Sequence, residues 1–95
     1  MSGTTRSSAD LDPRRKRLLF QAWHRGTREM DLLLGRFADE TIGDWSDDEN
    51  DEMDRLLAVP DPELYRWITE QDSVPGNYRS AFLDRIINFH KVSRS

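Results

Sequence analysis

The amino-acid sequence predicts an all-α fold, namely a compact single-domain bundle of five short helices. Apolar residues recur three and four positions apart along most of the chain, which is the spacing of a helix with one buried face. Capping residues followed by proline or glutamate recur as helix-start signals. No stretch alternates apolar and polar residues in the way that a half-buried strand does.

The first two helices are predicted from the signals at their ends. Residues 1–11 are expected to form a flexible tail, and residues 12–93 the five-helix domain. Asp12 followed by Pro13 predicts an N-cap and the first helical position. This helix should run to about Arg25 and end at Gly26. A second helix should follow and end near Gly43, with these residues on its inner face: Met30, Leu33, Leu34, Phe37 and Ala38.

The other three helices are predicted in the same way. Ser46 and Glu49 have the spacing of a capping box, which predicts the start of a third helix that stops before Pro60. Asp61 followed by Pro62 repeats the N-cap and proline signal for a fourth helix. Residues 72–77 read as a turn-rich linker. The final helix is predicted over residues 78–92.

Four large aromatic residues need an assignment to core or surface. Trp23 and Trp67 lie on apolar stripes, so both are predicted to be core residues. Trp45 directly precedes the Ser46 cap, and this position predicts a hydrophobic staple. Tyr65 lies off the best apolar face of its helix, which leaves core and surface contact equally open.

Composition excludes several classes of function. The chain has 95 residues, of which 36% are hydrophobic and 34% charged, so it has room for one small core. It has no cysteine, which excludes disulfides, thiolate metal sites and cysteine catalysis. His24 and His90 are too far apart in sequence to form a local ligand pair, so no metal site is expected. No catalytic constellation or nucleotide-binding motif is present, so the chain is predicted not to be an enzyme and to have no catalytic residues.

The charges are sorted along the chain. Residues 1–28 carry seven basic and two acidic groups. Residues 29–72 carry three basic and fifteen acidic groups, and residues 73–95 carry four basic groups and one acidic group. The acidic middle disfavours nucleic-acid binding and favours a protein partner with a complementary surface. The basic cluster 14–17 is predicted to be a solvated face. A helical protein-interaction or DNA-binding module that uses this cluster remains the alternative. Its members are Arg14, Arg15, Lys16 and Arg17.

Four charged residues surround Gly26 at the predicted junction of the first two helices. One interpretation is structural: Gly26 caps a helix, and Arg25 pairs with Glu29 four residues later. The other is functional: the missing side chain at Gly26 lets a partner's backbone approach between flanking arginines. The four charged residues are Arg25, Arg28, Glu29 and Asp31.

Taken in order, these motifs resemble the FAD assembly factor family, which comprises the bacterial SdhE proteins and the mitochondrial succinate dehydrogenase assembly factor 2. The resemblance covers residues 17–68 and rests on an Arg-Gly-x-x-Glu box followed at the expected distance by an Asp-Pro-x-Leu-Tyr-x-Trp segment. The matching positions are Arg25, Gly26, Arg28, Glu29, Asp31, Phe37, 46–49, Leu56, Leu57, 61–65 and Trp67.

The resemblance implies a five-helix protein that binds the flavoprotein subunit of succinate dehydrogenase and, in some bacteria, of fumarate reductase. Family members promote covalent attachment of FAD to a histidine of that subunit. The chain is therefore expected to act on FAD held by the partner and to bind no cofactor stably itself. A bacterial cytoplasmic monomer is expected, without nucleic-acid binding or membrane insertion.

The resemblance also implies which residues contact the partner. The contacts are expected chiefly from the Arg-Gly-x-x-Glu box and its neighbours. Three positions of the later segment are placed second. Carried over residue by residue, the expected partner-binding set is Arg25, Gly26, Arg28, Glu29, Asp31, Asp61, Tyr65 and Trp67.

Overall fold

The computed structural model describes residues 11–93 as five α-helices with two short 3₁₀ turns and no strand, which confirms the predicted all-α class. The α-helices are α1 (Pro13–Trp23), α2 (Arg28–Thr41), α3 (Asp47–Leu57), α4 (Asp61–Ile68) and α5 (Ala81–Ser93). The 3₁₀ turns are Ile42–Asp44 and Gly76–Tyr78. The predicted tail lies outside the described residues except for Leu11, which is buried in the core and therefore belongs to the folded part.

Two of the predicted helix starts are confirmed. The Asp12 side chain accepts a hydrogen bond from the Arg15 backbone N–H, and Pro13 is the first helical residue. Ser46 and Glu49 form both bonds of the capping box, at 3.1 and 3.0 Å. The guanidinium of Arg15 also donates to the Asp12 carboxylate, which lowers the pKa of that carboxyl. Capping thus fixes the starts of α1 and α3.

Two other helix starts differ from the prediction. Asp61 is not the N-cap of α4 but its first residue, because its carboxylate binds a side chain from outside the helix. The N-cap position belongs to Pro60. The last helix begins later than predicted, since the backbone first makes the 3₁₀ turn Gly76–Tyr78. The Ser80 hydroxyl then accepts from the Leu83 N–H, as a capping residue does.

An aromatic cluster forms the centre of the bundle. Phe37 of α2 lies with its ring centroid 5.5 Å from those of Phe82 and Phe89 of α5. Trp45 packs against both Phe37 and Phe82 and is only 2% exposed. The predicted hydrophobic staple is wrong, because the staple partner would be Asn50, which is not apolar. Trp45 instead joins the loop before α3 to the core.

Helices α1 and α2 pack tightly at Gly35. The indole ring of Trp23 lies directly over this glycine, and a Cβ atom at position 35 would overlap the ring. Trp23 is buried, as predicted for a core residue. A glycine in the interior of a helix costs about 1 kcal/mol relative to alanine, and here it makes room for the tryptophan.

Gly35→Ala is expected to lower the free energy of unfolding by about 1–3 kcal/mol, the usual cost of overpacking, although alanine favours helix formation. Urea denaturation measures the change. The same substitution in a Trp23→Leu background should cost less, because the overlapping ring is then gone. An equal cost in both backgrounds would show that the indole ring is not the cause.

The basic cluster 14–17 is only partly a solvated face. Arg14 bridges from α1 to α3, with N···O distances of 2.6 Å to Asp51 and 2.8 Å to Asp54. Arg15 binds Asp12 and the carbonyl oxygen of Trp45. Only Lys16 and Arg17 are exposed. Half of the predicted basic surface is therefore engaged within the domain.

No described helix is long and apolar enough to cross a bilayer. Likewise, within residues 11–93 no three His, Cys, Asp or Glu side chains are grouped so that they could hold a metal ion.

Candidate functional site

The junction between α1 and α2 is a four-residue turn held by its own side chains. Gly26 lies within it at φ +106°, a left-handed conformation that L-residues adopt only with strain. The Thr27 hydroxyl caps α2 by accepting from the Met30 N–H at 3.3 Å. The Asp31 carboxylate reaches back to accept from the Arg25 N–H at 2.6 Å. The sharp turn therefore depends on a glycine and two capping side chains.

Arg25 ties this junction to the turn between α3 and α4. Its Nε donates to Asp61 Oδ1 at 2.8 Å, and Nη2 lies 2.5 Å from the same oxygen. Nη1 and Nη2 also donate to the carbonyl oxygens of Leu57 and Val59, at 2.5 and 2.8 Å. The predicted pairing of Arg25 with Glu29 is wrong, because all three nitrogens of the guanidinium bind Asp61 or the two carbonyls.

This ion pair is shielded from water. The side chains of Arg25 and Asp61 are only 12% and 19% exposed. A charged side chain at this depth needs partners, and those of the Arg25 guanidinium all come from the turn between α3 and α4. Arg25 and Asp61 therefore fix the positions of the two turns, and the residues next to Arg25 form the outer surface.

The outer surface of the junction is formed by Gly26, Thr27, Arg28 and Glu29, which are all exposed. Within the described residues, neither Arg28 nor Glu29 has an ion-pair or hydrogen-bond partner for its side chain. Apart from the two neighbouring residues, no other part of the described chain lies within 4 Å of the place where a Cβ on Gly26 would be. The junction thus exposes the backbone of Gly26 to solvent next to one positive and one negative side chain, Arg28 and Glu29.

A cleft lies on each side of this surface. One, of about 580 Å³, is lined by residues that include Trp23, Arg28 and Leu32. The other, of about 360 Å³, is lined by Met30 and Tyr65 together with Thr27, Glu29, Asp61 and Pro62. Tyr65 is half-buried: it packs against the core and also lines the second cleft. Both of the alternatives left open for Tyr65 are therefore partly right.

The structure brings together seven of the eight residues expected to contact a partner. The exception is Trp67, which is 6% exposed and packs on the Tyr78 ring with a centroid distance of 5.2 Å. Trp67 lines a separate cleft between α4 and α5. Its place in the core confirms the prediction from its apolar stripe, and it gives the side chain no exposed face at the junction.

Sequence analysis missed two apolar residues beside the site. Phe20 is 61% exposed, and its ring stacks on that of His24 with centroids 3.9 Å apart. Leu32 is 43% exposed and lines the larger cleft. Both lie off the apolar stripes of their helices, and this offset is the signal that could have identified them.

Gly26→Ala is expected to lower the free energy of unfolding by about 1–2 kcal/mol, because alanine at this φ is strained. Gly76→Ala is the matched control: position 76 is also open to solvent, but its backbone is not left-handed. Thermal or urea denaturation compares the two. Equal stability of both variants would contradict the assigned backbone conformation at Gly26.

Comparison with known proteins bears directly on this junction. The model of one family, described as the flavinator of succinate dehydrogenase, matches residues 16–90. The chain belongs to this family. The match spans the α1–α2 junction and both clefts, and it confirms the resemblance drawn from the motifs. This is a family of flavinators and assembly factors of succinate dehydrogenase.

Named relatives in the flavinator family support the assignment. The FAD assembly factor SdhE of Acetobacter pasteurianus is 34% identical over 85 residues, which are 90% of this chain and 78% of the relative. The mitochondrial succinate dehydrogenase assembly factor 2 of Debaryomyces hansenii is 42% identical over 69 residues, which are 73% of this chain and 49% of the relative. The chain thus spans about half the length of that mitochondrial relative. No solved structure matches the chain.

Proposed function

We propose that this chain binds the flavoprotein subunit of succinate dehydrogenase and promotes the covalent attachment of FAD to a histidine of that subunit. The observation that carries the proposal is the α1–α2 junction: seven of the eight expected contact residues gather there, within the segment that matches the flavinator family. The name of the Acetobacter relative, FAD assembly factor, supports the same role.

The junction supports docking rather than catalysis. The largely shielded Arg25–Asp61 pair fixes the turn, so that Gly26 presents exposed backbone to the partner. Exposed Arg28 and Glu29 offer charges of both signs beside it. In this proposal the chain is not an enzyme and holds no FAD of its own, and bond formation belongs to the partner's active site.

Docking promotes flavinylation by favouring one conformation of the partner. A chain that binds the conformation in which histidine and flavin are aligned raises the population of that conformation. A preference of about 1.4 kcal/mol raises it tenfold. Release follows when the flavinylated subunit binds less well.

In-gel flavin fluorescence tests the proposal. The flavoprotein subunit is expressed with and without this chain and separated by denaturing electrophoresis, after which only covalently attached FAD fluoresces. We expect the fluorescence per unit of subunit to rise several-fold with the chain. Equal fluorescence in both samples would overturn the proposed function.

A pair of variants at Gly26 tests the docking site. Gly26→Ala and Gly26→Arg carry the same backbone strain, so they differ in the bulk and the charge added at the contact. We expect Gly26→Arg to lose both partner binding and flavinylation, whereas Gly26→Ala retains most of each at temperatures where both variants are folded. Unchanged binding and flavinylation with Gly26→Arg would place the contact elsewhere.

We extend the proposal to the setting of the protein: a monomer that acts in the bacterial cytoplasm, with the fumarate reductase flavoprotein as a second partner. The bacterial relative supports the setting. The low apolar content supports a monomer, which sedimentation analysis can test. The DNA-binding alternative has less support, since Arg14 and Arg15 are engaged with α3 and the loop before it.

A further inference from the structure

One exposed stripe of α2 extends away from the junction. Arg28, Leu32 and Arg36 are four residues apart along the helix, so they lie on one face, and all three are exposed. We call these three residues the α2 stripe. Leu32 separates two clefts, since it lines both the cleft of about 580 Å³ at the junction and one of about 280 Å³ toward Phe89.

The charge of the stripe is unusual for its surroundings. Residues 29–72 contain fifteen acidic groups and only three arginines. Two of these arginines are used within the fold: Arg66 pairs with Asp72, and Arg55 binds Glu52 and the Asn77 carbonyl. Arg36, like Arg28, has no ion-pair partner in the part of the chain that the structure describes. Two available cations therefore flank an exposed leucine in an otherwise acidic region.

We infer that the α2 stripe docks an acidic segment of the flavoprotein subunit, with carboxylates on Arg28 and Arg36 and an apolar side chain beside Leu32. The inference rests on the proposed function and extends its contact surface from the junction, with which the stripe shares Arg28. Eight residues of helix separate the two arginines by about 12 Å, which sets the spacing of the two carboxylates. Arginine suits this recognition because its guanidinium can bind a carboxylate with two parallel hydrogen bonds.

The dissociation constant of the purified flavoprotein subunit for this chain tests the inference. Arg36→Glu should weaken binding about tenfold, because it replaces an attraction by a repulsion. Arg79→Glu is the matched control: position 79 is exposed, has no ion-pair partner within the described residues and lies by the cleft between α4 and α5. The control should bind within about twofold of the wild type, since a distant surface charge acts weakly across a Debye length.

Two further measurements separate a docking role from a folding defect. Leu32→Asn should also weaken binding, while the melting temperatures of both stripe variants stay near that of the wild type, because the substituted side chains are exposed. Raising the salt concentration should weaken wild-type binding more than binding of Arg36→Ala, which lacks one of the paired charges.

The outcomes distinguish this inference from the function on which it rests. If the wild-type chain promotes flavinylation but Arg36→Glu and Leu32→Asn bind as tightly as Arg79→Glu, the stripe is not part of the interface and the proposed function stands. If the wild-type chain neither binds the subunit nor raises its covalent FAD, the proposed function fails, and the inference fails with it.

Discussion

Replacing Arg25 by methionine is expected to lower the free energy of unfolding by about 2–3 kcal/mol, somewhat less than the cost of removing one partner from a fully buried ion pair. The Asp61 carboxylate, only 19% exposed, would lose its cation. The carbonyl oxygens of Leu57 and Val59 would lose their donors as well. Urea denaturation of the purified chain measures the change.

A matched control shows whether burial is the reason. Arg66 pairs with Asp72 at 2.8 Å, but both side chains are about half exposed. Arg66→Met should therefore cost less than about 1 kcal/mol. Adding Asp61→Asn to Arg25→Met should recover part of the loss, since the orphaned charge is then removed. Equal costs for the two arginine substitutions would contradict the structural role of Arg25.

The second large effect is expected at Trp45. Trp45→Ala should lower the free energy of unfolding by about 3–5 kcal/mol, because it empties the space between Phe37 and Phe82. The indole N–H also donates to the Thr41 hydroxyl at 2.8 Å, so that hydroxyl would lose this donor and keep only its own bond to the Phe37 carbonyl. Thermal and urea denaturation both report the loss.

Three control substitutions separate the contribution of packing from that of hydrogen bonding. Trp45→Phe keeps part of the packing, and Thr41→Val keeps the indole ring but removes the two hydrogen bonds of the hydroxyl, with the Trp45 indole and the Phe37 carbonyl, so each should cost less than Trp45→Ala. Phe20→Ala removes an aromatic ring that is 61% exposed and should change stability by less than about 0.5 kcal/mol. A cost for Trp45→Ala as small as that for Phe20→Ala would contradict the place of Trp45 in the core.

Local signals were sufficient to predict most of the fold. Asp12, Ser46 and Glu49 fix helix starts through bonds to residues three positions away, and such contacts can be read from spacing alone. Asp61 has the same local signal as Asp12, yet it is not a cap, because a guanidinium 36 residues earlier binds its carboxylate. Spacing cannot show which distant partner a charged side chain meets.

The sequence was sufficient to predict which residues form the site, but not which of them hold it together and which are exposed. The motifs grouped Arg25 with Gly26, Arg28 and Glu29, but only tertiary structure shows that Arg25 faces inward while the others face outward. Gly35 gave no signal, since a glycine within a helix pattern does not reveal the ring that packs over it. The α2 stripe likewise could not be predicted, because the sequence does not show which arginines are already paired within the fold.

The most direct test of the central claim measures the covalently bound FAD of the flavoprotein subunit. It compares two variants of this chain in which the same kind of substitution is made at the junction and at a distant helix start. Glu29 and Asp48 are both exposed acids at the second position of a helix, Glu29 in α2 at the junction and Asp48 in α3. Glu29→Lys and Asp48→Lys therefore change net charge and helix-dipole energy in the same way.

We predict that the subunit expressed with Asp48→Lys carries as much covalent FAD as with the wild-type chain. With Glu29→Lys it should carry little more than the subunit expressed alone, because a reversed charge lies at the contact surface. Full flavinylation with Glu29→Lys, at equal amounts of folded chain, would contradict the assignment of the α1–α2 junction as the docking site.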